Sequence, residues 1–348
     1  MSLTLIRKIR ETIYNAVKNI SNKAMPDFSV LDETELILLL EHALLDFWDK
    51  NYNTKFLTNM KMHKIMYAVA EEENLPITRS WYILGNNIHE REIVRKEFGL
   101  DLLINPRNVT LQDGRVFDVQ ALIETYFDIY AEFKKCIQQV IEQTNIVKTD
   151  KWTLRRWLYR EIAPRKFSRC YLASLEYLAF LSRFNNLIYL KTPNLVIDDC
   201  SKTTTDLHKS IKKIKEFEPF IEMLMEFTDT IEDAILKSAL NIKNNSFTLS
   251  DLDFLKEQEL IFRETVWKQF AKVIAIETVK GKRKDEIKEE YILDLLDLTK
   301  EKSIIVENSQ RANELDLYLS KTDFNQLFGY QEDMRKKIIE VENILQRG

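Results

Sequence analysis

The chain has 348 residues, 45% of them hydrophobic and 30% charged, which is globular composition and excludes wholesale disorder. Its formal net charge of -4 excludes a global cationic field of the kind that marks a nucleic-acid or membrane binder, so any such role must come from a local patch. Six Gly and six Pro fit long helices joined by short turns and argue against a sandwich or barrel. Three cysteines, Cys136, Cys170 and Cys200, with no C-x-x-C spacing, exclude a disulfide framework and a zinc knuckle.

The length predicts two domains, 1–147 and 148–348, with the polar stretch Thr144–Asp150 as the boundary. Residues 1–24 read as an amphipathic helix with Leu5, Ile9, Ile13 and Val17 on one face, without the clean apolar run of a signal peptide. Asp32 and Glu35 have capping-box spacing ahead of a second helix that is apolar on most faces. Its apolar run, Leu36–Trp48, is too short to span a bilayer, so the expectation is a cytoplasmic protein without a membrane partner.

A third helix is expected over 58–73, closed by Pro76, then a short helix holding Trp81 and Tyr82, and another from Ile88 to Phe98. Val109–Leu111 and Arg115–Phe117 flank an Asp113-Gly114 turn and read as a β-hairpin. From Val119 the spacing of Tyr126, Tyr130, Phe133, Ile137 and Val140 is helical. Further helices are expected near 151–162, 166–190, 204–241, 250–280, 284–299 and 307–346. The last carries a seam of Tyr330, Met334, Ile338, Val341 and Leu345, suited to internal packing or to self-association. The fold class is therefore mainly α: an N-terminal winged-helix-like lobe with one small hairpin, followed by a C-terminal helical bundle.

Catalytic signatures are sparse. No Gly-rich phosphate loop, H-E-x-x-H or G-x-S-x-G is present, and no histidine carries the upstream arginine of the R-x4-6-H ribonuclease motif. His42, His63, His89 and His208 sit in or beside expected helices. His89 with Glu90 and Glu92 is the one set suited to a metal site, although neighbours along a helix diverge by about 100° per residue, so the spacing does not put all three on one face. No cofactor and no metal site are assigned.

Two segments stand out. The order of elements over 59–118 is that of a winged helix-turn-helix, with Arg79, Arg91, Arg95 and Lys96 as phosphate contacts and Arg107 and Arg115 beside the wing. Glu71, Glu72, Glu73, Glu90, Glu92 and Glu97 oppose such a role. Within this segment Lys64-Ile65-Met66-Tyr67-Ala68, Leu75-Pro76 and Ser80-Trp81-Tyr82-Ile83-Leu84-Gly85 resemble the K-L-L-Y-x-A helix and W-x-Y-G-P segment of the Panacea domain in SocA-type antitoxins. The resemblance covers about residues 60–90 and departs from the family at Asn86, where proline is usual. It implies toxin neutralisation, proteolytic adaptor work or phage defence, acting through protein binding.

The second segment is Lys151–Arg169. Lys151, Arg155, Arg156, Arg160, Arg165, Lys166 and Arg169 face one acid, Glu161, with Trp152, Trp157, Tyr159 and Phe167 interleaved. Cations neutralise phosphates and aromatic rings stack on bases, so these seven residues, with Trp152 and Trp157 for stacking, form the candidate nucleic-acid or anion site. Spacing places Arg155, Arg156 and Arg160 near one helical face. The competing reading pairs the cations with the acid-rich stretch Glu216–Glu264. The functional expectation is a non-enzymatic binding or regulatory protein whose partner is a protein or a nucleic acid. A metal-dependent nuclease or toxin effector, and an oligomeric scaffold built through the C-terminal helix, remain as alternatives.

Overall fold

The computed structural model describes residues 26–52, 57–83, 85–89, 108–110, 114, 116–144, 146–185 and 192–327. The helix expected over 1–24, most of that over 88–98 and the seam from Tyr330 to Leu345 lie outside the described residues.

The chain is mainly α-helical. In order come α1 (Glu33–Asn51), α2 (Asn59–Glu72), β1 (Arg79–Tyr82), β2 (Gly85–Ile88), β3 (Asn108–Thr110), β4 (Val116–Asp118), α3 (Val119–Thr125) and α4 (Phe127–Thr144). There follow α5 (Lys151–Glu161), α6 (Ser168–Leu181), α7 (Pro193–Ile211), α8 (Ile221–Lys243), α9 (Leu249–Ile261), a π-helical turn (Phe262–Trp267), α10 (Lys268–Thr278), α11 (Lys284–Leu296) and α12 (Thr299–Glu314). β1 pairs antiparallel with β2, and β3 with β4. No helix among the described residues is long and apolar enough to cross a membrane.

The chain divides into two compact units: Met1–Pro76 with Glu90–Gln143, and Ile77–His89 with Thr144–Gly348. In the first, the capping box forms as its spacing requires. Asp32 accepts from the Glu35 backbone N–H, Glu35 accepts in return from Asp32, and both bonds are 2.8 Å. Leu36–Leu40, Ala43, Leu44 and Trp48 of α1 are buried, as are Phe133, Ile137 and Val140 of α4. Asp46 of α1 draws both Lys134 and the Tyr130 hydroxyl of α4 towards it. The expected hairpin is present: β3 and β4 pair on either side of Gly114, which has φ 85°, while Asp113 lies outside the described residues.

The short helix expected around Trp81 and Tyr82 is instead strand β1, and the residues after Gly85 are its partner strand. The second helix of the expected helix-turn-helix is therefore absent at this position. Contacts far away in sequence hold the hairpin extended. Arg79 and Lys280 exchange backbone hydrogen bonds of 3.0 and 2.9 Å, and the Trp81 N–H donates to Thr278 Oγ1 at 3.0 Å. The Tyr171 hydroxyl and the Trp267 indole N–H donate to the carbonyls of Tyr82 (2.8 Å) and Ile83 (2.9 Å). Around these anchors Trp81, Tyr159, Tyr171, Trp267, Phe270 and Phe217 form a continuous aromatic core, with ring centroids 4.8 to 6.3 Å apart.

Other boundaries also move. Asp198-Asp199-Cys200 lies within α7, which starts at Pro193, a residue suited to a first helical turn, and not at the expected 204. The expected helix over 204–241 is broken before Ile221 by a 3-10 turn containing Pro219. The helix expected from 307 begins at Thr299, where the Asp297 carboxylate accepts the Thr299 N–H at 3.0 Å.

Glycine scarcity has a visible counterpart at helix ends. Asn74, Asn245 and Asp316 have φ of 49°, 56° and 52° and close α2, α8 and α12. At each, the next N–H returns to the carbonyl five residues earlier: Leu75 to Ala70 (2.9 Å), Ser246 to Asn241 (2.8 Å), Leu317 to Ala312 (2.9 Å). These are Schellman closures made without glycine. Asparagine tolerates the left-handed region but still carries a Cβ there. Asn245→Gly, at an exposed position, is expected to stabilise the protein by about 0.5–1 kcal/mol and to raise the thermal midpoint by about 1–3 °C. A lowered midpoint in a melting experiment contradicts this account.

Candidate anion-binding face

Helix α5 starts where the Asp150 carboxylate accepts from the N–H groups of Trp152 (2.9 Å) and Thr153 (3.1 Å). Leu154, Leu158 and Tyr159 turn into the core, while Lys151, Thr153, Arg160 and Glu161 are exposed. The turn after α5 buries Phe167 and leaves Arg165, Lys166 and Arg169 outside. Two of the four interleaved aromatics, Tyr159 and Phe167, are thus core residues. Trp152 and Trp157 are half-buried.

The seven cations meet three different fates. Arg156 is clasped by Glu176 of α6, Nε to Oε1 at 2.7 Å and Nη2 to Oε2 at 3.0 Å. That hydrogen bonding lifts the Arg156 guanidinium above its ordinary value and lowers the Glu176 carboxyl. Lys166 reaches Glu216 at 2.8 Å and Glu277 at 3.3 Å, and the Glu216 bond raises its ammonium pKa. These pairs are part-exposed and contribute little to stability.

Arg155 has the second fate. The i, i+4 step joins Arg156 to Arg160, but Arg155 precedes Arg156 by one residue and points about 100° away. It lies mostly buried, so its expected place on one face with Arg156 and Arg160 is corrected. Burial lowers its guanidinium pKa, and Arg263 adds to this. Its Nε has no hydrogen-bond partner, and its Cζ lies 5.7 Å from the Trp152 ring centroid. Lys151 Nζ is 5.3 Å from the same ring, so two cations already flank the Trp152 indole.

Arg160, Arg165 and Arg169 form the third group, exposed and without an ion pair among the described residues; Lys151 is exposed and likewise lacks a carboxylate. Glu216 belongs to the expected acid-rich stretch, whereas Glu176 and Glu277 lie outside it. No local spacing signal links Arg156 to a glutamate twenty residues on.

Of the N-terminal candidates, Arg79 is the one among the described residues. Arg79 is 2% exposed and donates from Nη1 to the Ile77 carbonyl at 3.1 Å, so its assignment as a surface phosphate contact is corrected. Arg91, Arg95, Lys96, Arg107 and Arg115 lie outside the described residues, as does Glu92. His89 Nε2 is 2.7 Å from the Ser80 hydroxyl in a buried pair. His208 Nε2 is 2.9 Å from Thr228 Oγ1. Among the described residues no three His, Cys, Asp or Glu side chains are placed to hold a metal ion. The thiols of Cys136, Cys170 and Cys200 are buried, and burial raises all three above the ordinary range.

Fold and face together define a mainly helical protein with a cationic helix on the surface of its second unit. The chain belongs to the DUF8098 family, a domain family of unknown function whose model matches residues 25–342. No curated protein and no solved structure matches it.

Proposed function

We propose that the protein is a non-enzymatic binding protein that takes the phosphate backbone of a nucleic acid on α5 and the turn that follows it. The observation that carries this reading is the run of four exposed cations over residues 151–169, Lys151, Arg160, Arg165 and Arg169, none of them in an ion pair among the described residues. Unpaired surface guanidinium groups at this density release counterions when they meet phosphates, and that release drives binding. The half-buried Trp157 adds an aromatic surface beside Arg160 on the same exposed side of the helix.

The test is an anisotropy titration of single-stranded and duplex oligonucleotides at two salt concentrations. With three or four phosphate contacts, affinity falls roughly 20- to 150-fold between about 50 and 200 mM salt. Reversing Arg160, Arg165 and Arg169 to glutamate abolishes binding at the lower concentration. No binding by the unaltered protein at low salt overturns the nucleic-acid reading. The local likeness of residues 60–90 to antitoxin domains supports a role in toxin neutralisation or phage defence. There the same cations take an acidic protein surface, and that reading survives a negative titration.

A further inference from the structure

Glu176 faces α5 from α6, and both of its carboxylate oxygens are spent on one guanidinium edge, that of Arg156. Arginine takes the two oxygens of a phosphate by the same parallel pair of bonds as those of a carboxylate. The carboxylate therefore fills the place that a phosphodiester would occupy on this fork. Arg160 lies one helical turn beyond Arg156 and acts on Glu176 through space without an ion pair among the described residues, while Arg183, the third guanidinium acting on Glu176, is paired with Asp199. Arg156 and Glu176 have side chains 38% and 46% exposed, so the pair opens without unpacking the core beneath it.

We propose that Glu176 is a resident counter-ion that closes the Arg156 fork in the free protein, and that a phosphodiester of the bound strand displaces it to engage Arg156 and Arg160 together. This rests on the nucleic-acid reading given above. The exchange replaces one anion by another on the same donors, so it sets a threshold that weak, isolated anions do not cross. It also makes Glu176 a negative determinant of affinity at the centre of an otherwise cationic surface.

The test compares Glu176→Gln with Glu259→Gln in the full chain, using a labelled single-stranded oligonucleotide. Glu259 of α9 acts on Arg155 of α5 through space and makes no ion pair among the described residues, so its substitution reports the gain of removing one negative charge without freeing Arg156. Glu176→Gln is expected to tighten binding roughly three- to tenfold, the factor set by freeing a part-exposed bidentate pair, and Glu259→Gln less than about twofold. In an Arg156→Ala background the gain from Glu176→Gln drops to that of the control, since the coupling runs through that guanidinium. Equal effects of the two glutamine variants, or an undiminished gain without Arg156, overturn the proposal. Loss of binding by the unaltered protein at low salt is a different failure, because it removes the nucleic-acid reading itself.

Discussion

Gly281→Ala is expected to destabilise the second unit by about 3–5 kcal/mol. A Cβ built on Gly281 falls 2.5 Å from the Ile77 carbonyl oxygen and 2.5 Å from the Thr78 Cα and N, all backbone atoms without a rotamer to yield. Its φ of 105° adds strain of about 1–3 kcal/mol for any L side chain. Relieving the clash means moving Gly281 off the hairpin, which disturbs the two backbone bonds between Arg79 and Lys280, each contributing about 1 kcal/mol. The Arg283 N–H bond to Thr78 Oγ1, two residues beyond Gly281, is in the path of the same shift. Gly114→Ala is the control. Gly114 also has positive φ, at 85°, but open space around it, so only strain of about 1 kcal/mol is expected there. Denaturant unfolding of both variants separates the two contributions. Equal losses would mean that Gly281 is needed for its dihedral angle alone.

Trp267→Ala is expected to cost about as much, roughly 3–5 kcal/mol, for a different reason. Trp267 is 1% exposed, lies edge-on to Tyr171 at 5.4 Å and stacks on Phe270 at 6.2 Å. Truncation leaves a void at the centre of the aromatic core and removes the only donor among the described residues that reaches the Ile83 carbonyl. Trp267→Phe keeps most of the apolar volume and loses the hydrogen bond, so a smaller loss of about 1–3 kcal/mol is expected. A melting point for Trp267→Ala within a degree of the unaltered protein would contradict the packing described.

Both residues show where sequence reasoning stops. Local chemistry was legible. Asp32 with Glu35 specifies a capping box and the short apolar runs on either side of Gly114 specify a hairpin, each within a few residues, and both are found. The strand state of Arg79–Tyr82 was not legible, because beyond its neighbour β2 the contacts that hold it lie nearly two hundred residues away at Thr278 and Lys280. Trp81 and Tyr82 are good strand formers, and Thr78 Oγ1 just ahead of them accepts the Arg283 N–H. At the candidate face, composition located the cations correctly but not their pairing. Nothing in the run of residues distinguishes Arg156, clasped by Glu176, from Arg160, which has no such partner.

The π-helical turn at Phe262–Trp267 has a consequence for how this protein tolerates change in length. Phe262 and Trp267 are both buried and five residues apart, a step that an α-helix places on different sides and an i→i+5 turn keeps on one. Gln269 Nε2 donates to the Thr265 carbonyl at 3.1 Å, tying the widened turn to the next. Deleting one residue between the two aromatics would replace the i→i+5 closure by the regular i→i+4 one and leave Phe270 and Ile274 on the face they now present relative to α9. The spare residue therefore marks a place inside the core where the chain can lose one residue and still face its interior inwards.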